Sequence, residues 1–265
     1  MNALVNNQDN GRISRLCAQG GSPNPTISAI RLAKATLSKT GSGRGLPVNV
    51  DAICELRKVK PIGVYLSGVA GRLLSMGDHY VAEINASNPE TRQRFTIGHE
   101  IGHTFFQDMS QIADTETSCG SSNYEHMLEE RLCDVFAAEF LMPESRFREI
   151  TADHLPSMKS VCRIAEIFKV SMFAAIRRII SLDLWPATLL FFRSEGNKGL
   201  KFRNSTAARS VRSRSLPIAL AARVIKQQKV PCGRIRLDEL EQVGLDYYTY
   251  GKMPHTCVCC LLLFK

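Results

Sequence analysis

His99-Glu-Ile-Gly-His103 sets two imidazoles four residues apart, with a carboxylate directly after the first. On a helix, positions i and i+4 share a face, so both rings reach one divalent ion while Glu100 sits one position round, as the general base of a metal-dependent hydrolysis must. Two imidazoles leave a catalytic zinc one protein ligand short, since such sites take three protein ligands and keep a fourth position open. Glu130 is the candidate for the third. Asp134, one turn further on, is placed to accept the ring N–H of a ligating imidazole and so orient it. Alone, Glu129, Glu130 and Asp134 also read as a solvated acidic face, and the H-E-x-x-H pattern upstream turns the reading toward a metal. Glu130 is preferred to Glu129 because Glu130 and Asp134 keep the i, i+4 relation, while Cys133, Phe136, Ala137 and Phe140 mark the apolar side.

These residues need two helices to carry them. Ile97, Ile101 and Phe105 line one face of a helix predicted over Glu90 to Gln107. Gly98 and Gly102 cost that helix about 1 kcal/mol each relative to alanine, so a close packing or a substrate approach is expected at them. Asp114 to Asn123 is small and polar, a loop, and a second helix is predicted from Tyr124 to Leu141, stopped by Met142-Pro143. Upstream, residues 1–25 lack periodicity and predict a loose tail, followed by a helix through Ile27, Ile30, Leu32, Ala33 and Leu37 and a short one over Ala52 to Arg57. Ile62 to Leu66, Arg72 to Leu74 and Tyr80 to Ile84 are short runs separated by glycine-bearing turns, which predict a small antiparallel sheet. Ser160 to Phe168 and Met172 to Ser181 form a helix pair with helix-turn-helix rhythm. Beyond Pro186 the texture changes to strands at Ala187 to Phe192 and Leu200 to Arg203, a helix at Pro217 to Gln227 and more strand near the end. The fold class is therefore α+β, divided into a tail over 1–25, a catalytic domain over 26–186 and a small C-terminal α/β domain over 187–265.

Arg94-Phe-Thr-Ile-Gly-His-Glu-Ile-Gly-His103, followed by Glu130-Arg-Leu-Cys-Asp-Val-Phe-Ala-Ala-Glu-Phe-Leu-Met-Pro143, resembles the ImmA/IrrE family of zinc metallopeptidases. The resemblance extends over about residues 26 to 182 and includes Val161 to Ser171; Cys133, where alanine is usual, departs from it. It implies a zincin-like core, Zn²⁺ held by His99, His103 and Glu130, and Glu100 as the base acting on water. It further implies a protein substrate, a helix-turn-helix repressor whose cleavage releases a stress, phage or mobile-element response. Tyr124 and His126, shortly before Glu130, read as capping or surface residues first and as candidate donors to the oxyanion such a hydrolysis forms second.

With 44% hydrophobic and 22% charged residues, the 265-residue chain is ordinary for a globular protein and unlike a disordered or collagenous one. No run approaches the roughly 20 apolar residues that span a bilayer, and Met1 to Asn10 has no apolar leader, so a cytoplasmic protein with no membrane partner is expected. Nine cysteines without paired spacing argue against a secreted disulfide framework. Cys257-Val-Cys-Cys260 is the exception; without a second Cys/His pair at finger spacing it reads as strand rather than metal site, continuing into Leu261 to Phe264. From Leu190 onward 14 Lys and Arg face 5 Asp and Glu, a balance of +9 equal to that of the whole chain. Arg203, Arg209, Arg212 and Arg214 are its densest part, a solvated surface or a nonspecific contact to nucleic acid. Two other functions stay open at this level. One is a DNA-binding regulator reading through Ser160 to Ser181; the other is a sensor stabilised by zinc without turnover.

Overall fold

The computed structural model describes residues 10–106, 123–194, 200–209, 232–236, 243–250 and 257–264. The chain divides into two compact units, Met1–Arg146 with Ile167–Val170, and Phe147–Glu166 with Ser171–Lys265.

The first unit begins with α1 (Asn10–Gly20) and α2 (Pro25–Thr40). Asn24 caps α2, its side-chain oxygen accepting from the backbone N–H groups of Thr26 and Ile27 at 3.0 and 3.2 Å, and Pro25 opens the first turn, where a missing N–H costs nothing. α3 (Val50–Arg57) is capped in the same way by Asn49. The expected loose tail is thus corrected over residues 10–20. Leu16 is fully buried, and Gly20 lets α1 approach Ser28 so closely that a Cβ there would overlap it.

Three strands follow: β1 (Val59–Val64), β2 (Gly71–Ser75) and β3 (Tyr80–Asn85), in the spatial order β1-β3-β2. β2 and β3 form the expected hairpin, closed by a turn in which Met76 N–H donates to His79 C=O at 2.9 Å and Gly77 adopts φ 89°. β1, however, pairs with β3 in parallel, so the all-antiparallel expectation is corrected to a mixed sheet. The cause is the 65–70 connection, which links the two edge strands past the end of β3. Asn85 holds it there, its amide donating to Leu66 C=O at 2.7 Å and Val69 C=O at 3.1 Å while its backbone N–H donates to Ala70 C=O at 2.9 Å.

α4 (Glu90–His103) and α5 (Asn123–Leu141) complete the unit. α4 stops at His103, short of the expected Gln107, because Arg57 occupies its end: Nε donates to Thr104 Oγ1 and Nη2 to Thr104 C=O, both at 2.9 Å. A cation at the last carbonyls of a helix complements its dipole. The same guanidinium lies 3.9 Å from the centroid of Phe105, which stacks on Phe136 at 4.4 Å. Ile101, Leu132, Phe136 and Phe140 are buried with it, so the apolar faces predicted for the two helices meet.

α6 (Glu144–Ala152) starts directly after Pro143, where no element was expected. Its cap comes from the preceding helix: the Glu139 carboxylate accepts from Glu144 N–H at 3.1 Å, a signal absent from the local sequence.

α7 (Met158–Phe168), which belongs to the second unit up to Glu166, and α8 (Met172–Ser181) occur where the helix pair was expected. β4 (Ala187–Ser194), β5 (Leu200–Ala207), β6 (Cys232–Arg236), β7 (Val243–Tyr250) and β8 (Cys257–Phe264) form an antiparallel sheet in the order β5-β4-β8-β7-β6. Cys257 to Cys260 and the apolar run after them therefore lie on a strand paired on both sides, in keeping with the strand reading. The expected helix over 217–227 lies outside the described residues. Among the described residues no helix is long and apolar enough to cross a membrane.

Candidate metal centre

The site is built on the contact between α4 and α5, and the two glycines explain how close that contact is. A Cβ on Gly98 would stand 3.1 Å from Ala137 Cα, and one on Gly102 would stand 3.0 Å from Cys133 Cα. The helix backbone of α5 thus rests directly on α4 at two points one turn apart. Of the two expectations for these glycines, close packing accounts for both. Gly102→Val is expected to destabilise the fold by about 3 kcal/mol, the upper end of overpacking costs, read as a lowered urea midpoint at unchanged slope.

This proximity brings the polar side chains of the two helices together. The His99 and His103 rings stand 5.0 Å apart, and their Nε2 atoms converge on one carboxylate: His99 Nε2 lies 3.3 Å from Glu130 Oε2 and His103 Nε2 lies 3.4 Å from Glu130 Oε1. Their Nδ1 atoms face away toward two further carboxylates, His99 toward Asp134 at 3.0 Å and His103 toward Glu129 at 3.0 Å. With the ring proton on each Nδ1, two nitrogen lone pairs and a carboxylate point at one another. That arrangement requires positive charge at the point where they meet, supplied by protons on the rings or by a metal ion. Two ligand atoms each about 2.0–2.1 Å from a tetrahedral zinc stand roughly 3.3–3.4 Å apart, so the spacing to Glu130 suits an ion.

The electrostatics agree. Burial alone would lower the His99 pKa, but the hydrogen bonds to Asp134 and Glu130 outweigh it and lift the imidazole to about 9. His103, more deeply buried, is likewise held well above its ordinary value by Cys133, Glu129 and Glu130. Glu130 is held well below the usual carboxylate range by its hydrogen bonds with His103 and His99. Glu100 moves the other way: at 5% exposed it is raised by burial, though the two histidines oppose the shift. It lies beside the start of β2, where a Cβ on Gly71 would come within 3.2 Å of its Oε1. The Gly71 position leaves that carboxylate room.

Two residues escaped the sequence reading. The sequence prefers Glu130 to Glu129, yet adjacent helix positions lie about 100° apart, so Glu130 reaches Nε2 of both rings while Glu129 reaches His103 from behind. Counting acceptors would have found it, because two ligating imidazoles need two and Asp134 supplies one. Cys133 was assigned to the apolar side, and it is fully buried, but its sulfur also lies within 4.8 Å of ligand nitrogens on His99 and His103, a group able to hold a metal ion. Burial raises its thiol to about 11, with His103 opposing the shift.

The remaining candidates sit elsewhere. Tyr124 is 74% exposed on the opening turn of α5, and His126, also exposed, lies one turn before Glu130. Arg203 falls on β5 and Arg209 is exposed just after it, whereas Arg212 and Arg214 lie outside the described residues. On α8, the proposed reading helix, Arg177 is exposed but Arg178 is only 9% exposed.

Residues 65–179 match the family model of the IrrE N-terminal-like domain. The chain is 33% identical over 100 residues to the radiation response metalloprotease IrrE of Deinococcus radiodurans, a match covering 37% of this chain and 30% of that protein. It is 27% identical over 210 residues to the radiation response metalloprotease IrrE of Deinococcus deserti, covering 72% of each. Among solved structures, a Mycobacterium tuberculosis transcriptional regulator superposes with a TM-score of 0.56 at 13% identity, covering 97% of this chain and 80% of that one, a likeness of fold. The matched residues 65–179 contain every member of the histidine and carboxylate cluster.

Proposed function

The domain carried by residues 65–179 belongs to the ImmA/IrrE family of metallopeptidases, and from that premise we propose that the protein is a zinc-dependent endopeptidase with a zincin-like core. His99, His103 and Glu130 hold the ion, Asp134 orients His99, and Glu100 is the base. The observation that carries this reading is the convergence of both Nε2 atoms on Glu130 at 3.3 and 3.4 Å from two separate helices.

Held by His99, His103 and Glu130, zinc would supply Lewis-acid polarisation of the scissile carbonyl and a lowered pKa for water. Glu100 accepts a proton from the attacking water on its carboxylate as the hydroxyl adds to the carbonyl carbon, then returns that proton to the departing amine nitrogen. Burial of Glu100 raises its proton affinity and so makes it a stronger base than an exposed carboxylate. Asp134 accepts the Nδ1 proton of His99, which keeps that ring's Nε2 lone pair turned inward. Tyr124 and His126, exposed on the opening turns of α5, remain the candidate donors to the oxyanion only if substrate binding turns them toward the cluster.

The substrate is a helix-turn-helix repressor, and its cleavage in the cytoplasm switches on a stress, phage or mobile-element response. Family membership supports this assignment, and the +9 balance of the last residues suits approach to a repressor on DNA through nonspecific phosphate contact. A role as a sequence reader through α8 is disfavoured by the burial of Arg178, which leaves that helix with Arg177 as its exposed arginine. The zinc-loaded protein, incubated with the helix-turn-helix protein encoded beside it, should produce a discrete pair of fragments by mass spectrometry. Fragments appearing equally fast after zinc is removed by chelation would overturn the metallopeptidase reading.

A further inference from the structure

The Glu129 carboxylate is shared between two partners, and the second comes from far along the chain. Oε1 accepts from His103 Nδ1 at 3.0 Å, while Oε2 lies 3.3 Å from the Arg12 guanidinium. Arg12 is on α1, outside residues 65–179. We propose that Arg12 is a positioning residue of the metal centre: through Glu129 it fixes the orientation of His103, so that retention of the ion depends on the docking of α1. This rests on the assignment of His103 as a metal ligand.

The geometry of α1 makes the coupling specific. Arg12, Leu16 and Gly20 fall at i, i+4 and i+8, hence on one helix face. Leu16 is fully buried and Gly20 rests on Ser28, so the face that seats α1 in the fold is the face that delivers Arg12. Glu129 is nearly enclosed, its side chain 12% exposed, whereas that of Arg12 is 41% exposed. A carboxylate so enclosed has few alternative partners. With both oxygens engaged it is held against rotation, and its charge stays available to the His103 N–H. Released from Arg12, it can turn away from the ring, and His103 loses the group that sets its direction. Because coupling between two equilibria is reciprocal, an ion at the centre must in turn steady α1.

The test uses the full-length protein and reads zinc release to a chromophoric chelator. Replacing the group behind a ligating imidazole typically weakens metal affinity by about 10–100-fold, so Glu129→Ala should release zinc at least about 10-fold faster. Arg12 is partly exposed and its pairing is screened, so Arg12→Ala should speed release by only about 3-fold, and Arg12→Lys should restore most of the loss. Two outcomes separate this role from a general loosening of the fold. In the Glu129→Ala background Arg12→Ala should add nothing, because its route to the metal is already cut. Raising salt from about 0.05 to 0.5 M should erase most of the difference between wild type and Arg12→Ala. Hydrogen exchange gives an independent view: zinc should slow exchange across residues 10–20 in wild type and not in Glu129→Ala. Wild-type protein that binds no zinc would bring down the metal assignment and this inference together. Wild type that binds zinc while Arg12→Ala releases it at the wild-type rate, or additive effects in the double variant, would remove Arg12 alone.

Discussion

If the proposed peptidase reading holds, Glu100→Gln is expected to leave zinc bound at one equivalent and to lower the rate of peptide-bond cleavage by roughly 10²–10⁴-fold, the span over which a positioned general base acts. Glutamine matches glutamate in shape, so the packing beside Gly71 and on α4 is preserved, but its amide takes no proton from water. The fold should tolerate the change. Glu100 is almost fully buried and its ionised form is opposed by desolvation, so replacing it with a neutral isostere removes an unfavourable burial rather than a stabilising one. The measurement is paired: elemental analysis for zinc and initial rates of fragment formation on the same preparation. Retained zinc with unchanged turnover would show that another group moves the proton; lost zinc would mean that Glu100 belongs among the ligands.

Removing a ligand has a different signature. His103→Ala is expected to abolish stoichiometric zinc, because it deletes one of the two nitrogens facing Glu130 and leaves the Glu129 carboxylate without its ring partner. Glu130→Ala should weaken binding by more than the roughly 10–100-fold that changes behind the ligands cause. Both losses should also register as stability. An ion present at a thousand times its dissociation constant stabilises the folded state by about 4.1 kcal/mol, so zinc should raise the wild-type melting temperature and leave that of either variant nearly unmoved. A zinc-dependent rise that persists in Glu130→Ala would assign the third position to another group, and Cys133 is the nearest alternative.

The two helices of the site were legible because their signals are local. Apolar residues at helical spacing, a proline after Leu141 and the fixed offsets of His99, His103, Glu130 and Asp134 are all written along one stretch of chain. What escaped depends on partners far away in sequence. Strand alternation carries no direction, so nothing in Val59 to Val64 distinguishes a parallel from an antiparallel neighbour; the amide of Asn85, by holding the 65–70 connection, makes the difference. α1 was invisible because its buried face consists of little more than Leu16 and a glycine that matters only against Ser28. α6 takes its cap from Glu139 on the helix before it. Glu129 was overlooked for a related reason: its worth depends on which side of a facing helix it meets, a property that periodicity along its own helix does not encode.

The seam at Gly98 and Gly102 also bears on how such a centre can change over evolutionary time. A methyl group gained at Gly98 or Gly102 would stand 3.1 or 3.0 Å from a backbone Cα of α5, so the helix carrying Glu130 would have to give by a few tenths of an ångström relative to His99 and His103. Were His99, His103 and Glu130 to hold an ion as proposed, substitutions in this part of the interior would be filtered by coordination chemistry as well as by folding. Substitutions that a plain helical pair would absorb by sliding apart would here cost the ion, and a lineage that lost the metal would be freed to fill the seam.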